Sequence, residues 1–360
     1  MIKRNIFLLK RMDKLLKPIL DFAIKVEASD VHISAGKHIA FRVHGKLEPK
    51  KEAGILSEDS LERILETFLH NNTDRIQEFH NSKELDFAYL HDGGTSFRVN
   101  AFYRLGKMSF VLRRISNSVM TMKELGLPAA VKKFTTAKQG LVLVTWPTGS
   151  WKSTSMISLL DEINKTRNEH VLTIEDPVEY IFEDNKSIFS QREIWNDTTS
   201  FANALKGAMR EDPDVIMIGE MRDAETVQAA LELAETGHLV ISTLHTSSAV
   251  QTISRLLSFF PTESQNAVRE KLGDTLVWVL SQRLIKKNGW GRVGIFEMMF
   301  MTTGIKNLVR DGNMNQIFSS IEMWVKEGMI TMRKYADALK EKGIVEESSY
   351  SDYFQDDSQF

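Results

Sequence analysis

The chain contains no cysteine, which excludes disulfide bonds and every zinc or iron–sulfur site that needs thiolate ligands. It also lacks an excess of charge of either sign, since 46 Lys and Arg against 48 Asp and Glu give a formal net charge of -2. Proteins that bind nucleic acids usually carry a basic surplus. The composition therefore predicts neither a zinc site nor a nucleic-acid partner.

Long apolar runs are absent as well. No stretch approaches the ~20 apolar residues that a membrane helix needs. The four apolar residues at 6–9 are too few for the core of a signal peptide. We therefore expect a cytoplasmic protein, one that can still dock on a membrane complex.

The first 118 residues carry the pattern of a small α+β domain. Apolar residues at helical spacing over 11–28 predict an amphipathic helix, with Pro18 marking its first turn. A charged helix is expected over 57–79, with Ser57 as its cap. Alternating patterns predict strands within 31–48 and over 84–90, 96–103 and 108–115.

From Gly140 onwards, short apolar runs rich in β-branched residues alternate with helical stretches. The runs cover residues 141–144, 171–174, 215–218 and 239–242. This alternation predicts a parallel sheet with helices on both faces. We expect residues 262–340 to be mainly helical and 346–360 to be an acidic, disordered tail.

The first of these runs leads into a sequence that resembles a phosphate-binding loop. Such loops read G-x-x-x-x-G-K-[ST]; the spacing, Lys152 and Ser153 fit, but Trp146 and Trp151 occupy both glycine positions. Glycine lets backbone N–H groups approach phosphate oxygens and tolerates positive φ, whereas tryptophan hinders both. The candidate nucleotide-binding residues are Pro147, Thr148, Gly149, Ser150, Trp151, Lys152, Ser153 and Thr154.

Acidic and histidine residues flank the later runs. Glu175 and Glu179 follow the second run, Glu220 follows the third, and His238 and His245 stand on either side of the fourth. Carboxylates at the C-terminal ends of parallel strands lie near the ligand, where they hold Mg²⁺ or orient water. Each group alone fits a solvated turn or a structural histidine equally well, and their order behind Lys152 is what favours a nucleotide site.

Residues 140–245 resemble the core of the secretion ATPase superfamily. The similarity covers a Walker A loop, an aspartate box at 174–179, a Walker B segment at 214–220 and a histidine box at 237–245. The sequences at 28–34 and 304–311 resemble those of the type IV pilus retraction (twitching motility) ATPases. Pilus assembly and type II secretion ATPases usually have a four-cysteine zinc module, so the absence of cysteine favours the retraction branch.

This resemblance implies a fold and an assembly. A PAS-like α+β domain is expected over 1–118, and a RecA-like P-loop ATPase domain with a mainly helical C-terminal part over 119–345. The implied protein is a homo-hexamer that hydrolyses ATP with Mg²⁺ to power pilus retraction. It would lie at the inner face of the cell membrane, on a platform protein of the pilus machinery.

The resemblance also implies roles for single residues. Lys152 would bind the β- and γ-phosphates, while Ser153, Glu220 and Glu175 would bind the Mg²⁺ ion directly or support its ligands. Glu179 and Glu220 would be catalytic, with Glu179 orienting water, and His238 and His245 would sense the nucleotide. The first domain would add positive charge through Arg98 and Arg113. Arg104 would stand in for an arginine that the family has near Gly106, and Arg210 and Arg222 fit structural ion pairs as well as catalysis.

All six tryptophans stand where this family commonly has glycine. They are Trp146, Trp151, Trp195, Trp278, Trp290 and Trp324. Our hypothesis is that the gene uses UGA as a glycine codon and that the sequence was translated with UGA read as tryptophan. This one cause would explain all six positions. If the tryptophans are genuine, the alternative is a catalytically impaired ring component. A DNA-translocating ATPase of the same superfamily is a third reading, which the near-neutral charge disfavours.

Overall fold

The computed structural model describes residues 15–92, 94–115, 119–145, 152–289 and 291–354. The chain divides into two compact units. The first lies within residues 1–118 and 176–181, and the second within 119–175 and 182–360. Among the described residues, no helix combines the length and apolar character needed to cross a membrane.

The first unit is built around an antiparallel sheet. Its helices are α1 (15–25), α2 (Glu58–Phe68) and α3 (Thr73–Ser82). Its strands are β1 (Asp30–Ser34), β2 (Ala40–Val43), β3 (Lys46–Pro49), β4 (Glu84–Leu90), β5 (Ser96–Arg104) and β6 (Lys107–Arg114). The strand order is β3-β2-β1-β6-β5-β4, with every neighbouring pair antiparallel. Apolar side chains of α1, α2 and the strands share one buried core.

The single helix expected over 57–79 is in fact two helices. Ser57 caps α2 as predicted, by accepting a hydrogen bond from the Ser60 N–H at 3.2 Å. The chain then leaves the helical conformation because His70 and Asn71 have φ values of 50° and 59°. Asn72 caps α3 through its side-chain oxygen. The prediction of one helix was wrong because it gave the two asparagines too little weight as turn and cap residues.

The second unit contains a larger, mostly parallel sheet. Its strands are β7 (Gly140–Thr145), β8 (His170–Glu175), β9 (Ile188–Glu193), β10 (Val215–Ile218), β11 (Leu239–Leu244), β12 (Leu276–Lys286) and β13 (Arg292–Phe300). Their order is β13-β12-β7-β11-β10-β8-β9, and only the β12–β13 pair is antiparallel. The helices are α4 (Lys152–Thr166), α5 (Phe201–Ala208), α6 (Ala224–Glu235), α7 (Ala249–Ser258), α8 (Gln265–Thr275), α9 (Thr303–Arg310), α10 (Ile317–Met323), α11 (Met332–Glu341) and α12 (Glu347–Phe354).

The four apolar runs of the sequence correspond to β7, β8, β10 and β11, which confirms the predicted parallel sheet. Residues of these strands are buried almost throughout, as expected for a sheet covered on both faces. Gly140 opens β7 with a φ of 107°, and a Cβ there would lie 2.3 Å from Cγ2 of Val277. Only glycine allows β7 and the start of β12 to approach this closely.

The expectation that residues 262–340 are mainly helical was wrong for the middle of that range. Residues 276–286 and 292–300 form the antiparallel β12–β13 pair. Both strands are largely buried, and short buried apolar runs do not reveal by periodicity whether they are helical or extended. β12 also pairs in parallel with β7, so the hairpin extends the mostly parallel sheet.

The acidic tail expected from residue 346 is ordered over most of its length. Residues 347–354 form α12, and Phe354 is buried in a small cluster with Ile285, Met332 and Val345. Tyr350 donates a hydrogen bond to the Asp337 carboxylate. The aromatic residues give this acidic segment an apolar side, which composition alone does not reveal. Residues 355–360 lie outside the described residues.

Candidate functional site

The C-terminal ends of β7 and its parallel neighbours meet at one edge of the large sheet. β7 ends at Thr145, and α4 begins at Lys152. A strand and a helix therefore flank the predicted phosphate loop, as a P-loop requires. The predicted site residues Pro147, Thr148, Gly149, Ser150 and Trp151 lie outside the described residues. Lys152 and Ser153 open α4, and Thr154 follows in its first turn, half-buried.

Glu220 and His245 come together at this edge. Glu220 follows β10 and His245 follows β11, and the Nε2 atom of His245 lies 3.4 Å from Oε2 of Glu220. Two side chains hold the ends of these strands together. The Ser242 hydroxyl donates to the Ile218 carbonyl at 3.0 Å, and the Thr243 hydroxyl donates to the Gly219 carbonyl at 2.5 Å. The structure thus brings two of the predicted catalytic residues into one pair.

Arg222 completes this pair on one side, because its guanidinium forms an ion pair with Glu220. The Glu220 carboxylate is mostly buried, with a side-chain exposure of 16%. A cleft of about 340 Å³ opens beside it, lined by Glu220, Met221, Arg222, Leu244, His245 and Arg255. The structural reading of Arg222, as an ion-pair partner, agrees with this contact.

Arg255 is a cleft residue that sequence reasoning missed. It lies on α7, and its guanidinium carbon is 4.5 Å from the ring centroid of Phe259. A signal was present: Ile253, Leu256 and Leu257 form the buried side of α7, which leaves Arg255 on the other side of a helix that follows the histidine box. A cationic residue there is suited to an anionic ligand.

Glu175, a predicted metal-associated residue, ends β8, the strand beside β10. Its side chain is buried, and Oε1 accepts a hydrogen bond from the Thr173 hydroxyl at 2.8 Å. The neighbouring strands are joined where the Gly219 N–H donates to the Ile174 carbonyl at 2.8 Å. Glu175 therefore lies at the same edge as Glu220 but outside the cleft described above.

His238 does not join this group. It precedes β11, so the length of that strand separates it from His245. Its Nδ1 atom lies 3.0 Å from the Leu233 carbonyl oxygen and 3.2 Å from the Thr236 hydroxyl. His238 and His245 thus lie at opposite ends of β11 and reach opposite edges of the sheet. The nucleotide-sensing role of His238 stays a prediction.

Arg98 and Arg113, predicted to bind nucleotide, are direct cross-strand neighbours on β5 and β6 in the first unit. Both side chains are exposed. Nε of Arg113 donates to Oδ1 of Asp30 at 3.0 Å, and Nε of Arg42 lies 3.5 Å from Oδ2 of the same carboxylate. Burial disfavours ionisation of Asp30. Hydrogen bonds from Ser29 and Arg113 and the charges of Arg113 and Arg42 outweigh it, so the pKa of Asp30 falls below its ordinary value.

Glu179, the remaining predicted catalytic residue, lies in the segment 176–181, which groups with the first unit. It is half-buried and follows β8 in irregular structure. The structure therefore places it in a different compact unit from Glu220 and His245.

A comparison with protein families decides what this arrangement belongs to. The profile described as Type II/IV secretion system protein matches residues 9–349. The chain belongs to this family. The resemblance stated from the sequence is thereby confirmed.

Two relatives are similar to this chain over most of its length. The type IV pilus retraction ATPase PilT of Pseudomonas aeruginosa is 42% identical over 327 residues, which is 91% of this chain and 94% of the relative. The twitching motility protein of Neisseria gonorrhoeae is 38% identical over 305 residues, or 84% and 81% of the two chains.

The structure resembles a crystal structure of the pilus retraction motor PilT with bound ADP, with a TM-score of 0.83 and 41% identity. The likeness covers 93% of this chain and 95% of that one. The predicted fold class is confirmed: an N-terminal PAS-like α+β domain precedes a RecA-like ATPase domain of the secretion family, whose C-terminal part contains several helices.

Three of the six tryptophans, which were expected to stand at family glycine positions, fall within the described residues. Trp195 has a φ of 71°, a left-handed conformation that a bulky residue rarely adopts. Trp278 is buried, and its ring centroid lies 3.6 Å from that of Phe300 and 4.2 Å from that of Phe134. Both distances are below the ~4.5 Å minimum usual for aromatic pairs. Trp324, in contrast, is partly exposed, with a φ of -98°.

Proposed function

We propose that this protein hydrolyses ATP and that the energy drives retraction of a type IV pilus. The observation that carries the proposal is the Glu220–His245 pair. It stands at the sheet edge where β7 leads through a loop of P-loop spacing into α4, in a chain 42% identical to a pilus retraction ATPase. An acid next to a phosphate loop is what nucleotide hydrolysis requires.

Most of the predicted site residues have a role in this reaction. The loop backbone and Lys152 hold the phosphates, since backbone N–H groups and a lysine suit an anionic chain of phosphates. His245 pairs with Glu220 and reports on the terminal phosphate. Glu179 orients the attacking water, and the exposed pair Arg98 and Arg113 adds positive charge to the phosphates.

Mg²⁺ fits the donors that are present. Among the described residues, no group of three His, Asp or Glu could hold a metal by itself. Mg²⁺ in nucleotide sites is bound by one or two carboxylates together with substrate phosphates and waters. Glu220, with Ser153 and Glu175, would hold it, and the ion would neutralise charge on the phosphates.

We further propose a homo-hexamer at the cytoplasmic face of the inner membrane, bound to the platform protein of the pilus machinery. The support is the family and its PilT relatives. The PAS-like domain would end at residue 118 and the ATPase domain would follow from 119. No nucleic acid takes part.

The proposed ATP hydrolysis is tested by phosphate release from ATP, with the chain carrying Trp146→Gly and Trp151→Gly as the parent. Glu220→Gln keeps the size of the side chain but removes its charge, so turnover is expected to fall by about 100-fold or more, as when a transition-state stabilising group is lost. The control is Glu225→Gln, an exposed carboxylate on α6 that pairs only with Lys206 among the contacts described, and it should turn over normally. Equal turnover in both variants would remove Glu220 from the reaction.

The motor part is tested in cells. A strain without this gene should carry pili that extend but do not retract, and the Glu220→Gln gene should not restore retraction. Normal retraction in the deleted strain would show that this ATPase serves another machine.

A further inference from the structure

A row of buried hydroxyl groups lies just beneath the candidate site. Thr145, the last residue of β7, has its Oγ1 atom 2.9 Å from Oγ of Ser281 on β12. On its other side, Oγ1 of Thr252 on α7 lies 3.5 Å away. Thr252 in turn lies 2.7 Å from Oγ1 of Thr246, the residue after His245. We call these four side chains the hydroxyl row.

Two members of the row adjoin the two parts of the site that must respond to nucleotide. Thr145 immediately precedes the predicted phosphate loop, and Thr246 immediately follows His245. Thr145, Ser281 and Thr252 are fully buried. Water is thus kept from their hydroxyls, so each must find its hydrogen-bond partner within the row or in the adjacent backbone.

The hydroxyl of Thr252 has more neighbouring oxygens than it has protons. Its one proton can go to the Ser248 carbonyl at 2.7 Å or to Oγ1 of Thr145 at 3.5 Å, while Oγ1 of Thr246 lies at 2.7 Å with either hydroxyl able to donate. A small shift of the end of β7 toward α7 would make the second acceptor competitive with the first. A hydroxyl gives its proton to one strong partner at a time. A change in the position of Thr145 would therefore change which oxygen receives the proton of Thr252, and with it the hydrogen bond between Thr252 and Thr246.

Two buried hydrogen bonds tie the helices next to the row to the β12–β13 hairpin. The buried Glu297 carboxylate on β13 accepts the Ala249 N–H at 2.7 Å and so fixes the start of α7. The Ser155 hydroxyl on α4 donates to Oε1 of Gln282 on β12 at 2.6 Å, with both side chains buried. Both α4 and α7 are thereby tied to the hairpin.

From this geometry we propose that Thr252 is a positioning residue. Through the hydroxyl row it couples the end of β7, which carries the phosphate loop, to the segment that holds His245 against Glu220. This inference rests on the proposed ATP hydrolysis. It concerns how the site is aligned during turnover and not how tightly the nucleotide binds.

The test compares Thr252→Val with Thr252→Ser in the full-length chain carrying Trp146→Gly and Trp151→Gly, the form that is expected to hydrolyse ATP. Valine keeps the shape and removes the hydroxyl, whereas serine keeps the hydroxyl and removes a methyl group. We expect kcat for ATP hydrolysis to fall by about tenfold in Thr252→Val, with KM for ATP within about threefold of its original value. Thr252→Ser should retain most of the activity.

A second variant and a matched control complete the experiment. Ser281→Ala removes a hydroxyl at the other end of the row and should lower kcat in the same way, even if Thr252→Val folds poorly. Ser158→Ala is the control, because the Ser158 hydroxyl is buried on α4 and has no partner among the described residues. It should leave kcat unchanged.

Three results would overturn the proposal. They are unchanged kcat in Thr252→Val or Ser281→Ala, a serine variant as impaired as the valine variant, and a loss confined to KM. The second would show that Thr252 acts through packing alone, and the third that the row serves only binding. Absence of turnover in the parent chain with Trp146→Gly and Trp151→Gly would instead contradict the proposed ATPase function.

Discussion

Trp195 begins a turn after β9, with its side chain 54% exposed and a φ of 71°. Left-handed backbone costs a residue with a Cβ about 1–2 kcal/mol, and glycine adopts it freely. Trp278 is placed differently but is also unfavourable, since its ring is closer to Phe300 and Phe134 than aromatic rings prefer. Both sites suit a residue without a side chain, as the glycine hypothesis expects.

Replacing Trp195 tests this conclusion by stability. Trp195→Gly relieves the left-handed strain but adds chain entropy to the unfolded state, so we expect a net gain of about 0.5–1 kcal/mol in the free energy of unfolding. Urea denaturation measures it. Trp324→Gly is the control, since Trp324 has a φ of -98° and glycine relieves no left-handed strain there. A Trp195→Gly protein less stable than its parent would contradict the argument.

The codons provide a direct check of the same hypothesis. We expect UGA at the six tryptophan positions, and the protein isolated from its own cells should have the mass of a chain with glycine at each of them. A UGG codon at 146 or 151 would end the hypothesis for the phosphate loop.

At this scale the sequence predicted that Glu220 and His245 lie at one edge of the sheet, and the structure brings them together, because both directly follow strands that were themselves recognisable. His238 precedes its strand and reaches the opposite edge, and its predicted role stays a prediction. It missed Arg255, which enters the cleft only because α7 packs through Ile253, Leu256 and Leu257. Such residues depend on helix orientation, which the motif does not contain.

Among the secondary-structure elements, the β12–β13 hairpin carries a buried charge. Glu297 is almost completely buried, and this burial raises its pKa to about 7, although the hydrogen bond from the Ala249 N–H and the charge of Arg283 oppose the shift. In the unfolded chain the carboxyl group has an ordinary pKa near 4.5. The folded state thus binds the proton more tightly, and stability falls as the pH rises from about 4.5 to about 7.

The predicted loss of stability with rising pH can be measured. Over that window Glu297 contributes a loss of up to about 1.4 kcal/mol per pH unit in the free energy of unfolding. Glu297→Gln cannot ionise, while its amide oxygen can still accept the Ala249 N–H. We expect denaturation curves at pH 5, 6 and 7 to show a gentler decline in the variant than in its parent. Equal slopes in the two proteins would show that Glu297 is not the titrating group.

The elements were predictable where one local signal dominated. The four parallel strands follow from apolar runs, and the start of α2 follows from Ser57. The division between α2 and α3 depends on left-handed residues at 70 and 71, and the β12–β13 hairpin depends on pairing with β7. Pairing with a strand about 135 residues away in the chain has no local signature, so it was read as helix.

For the whole molecule, the order of motifs was more informative than composition. The near-neutral charge and lack of cysteine only excluded classes of protein, whereas a strand, a loop with Lys152, and acids after two later strands defined the ATPase. The match of the family profile to residues 9–349 agrees with that order. The proposed function therefore requires that the residues at this edge of the large sheet form an active ATPase site.

Steady-state phosphate release tests that claim most directly. The protein should be prepared with Trp146→Gly and Trp151→Gly, beside the chain as written and a Lys152→Ala variant of the glycine form. We predict that the glycine form hydrolyses ATP, that the tryptophan form is slower by about 100-fold because its loop cannot close on the phosphates, and that Lys152→Ala is inactive. A glycine form that releases no more phosphate than its Lys152→Ala variant would contradict the account.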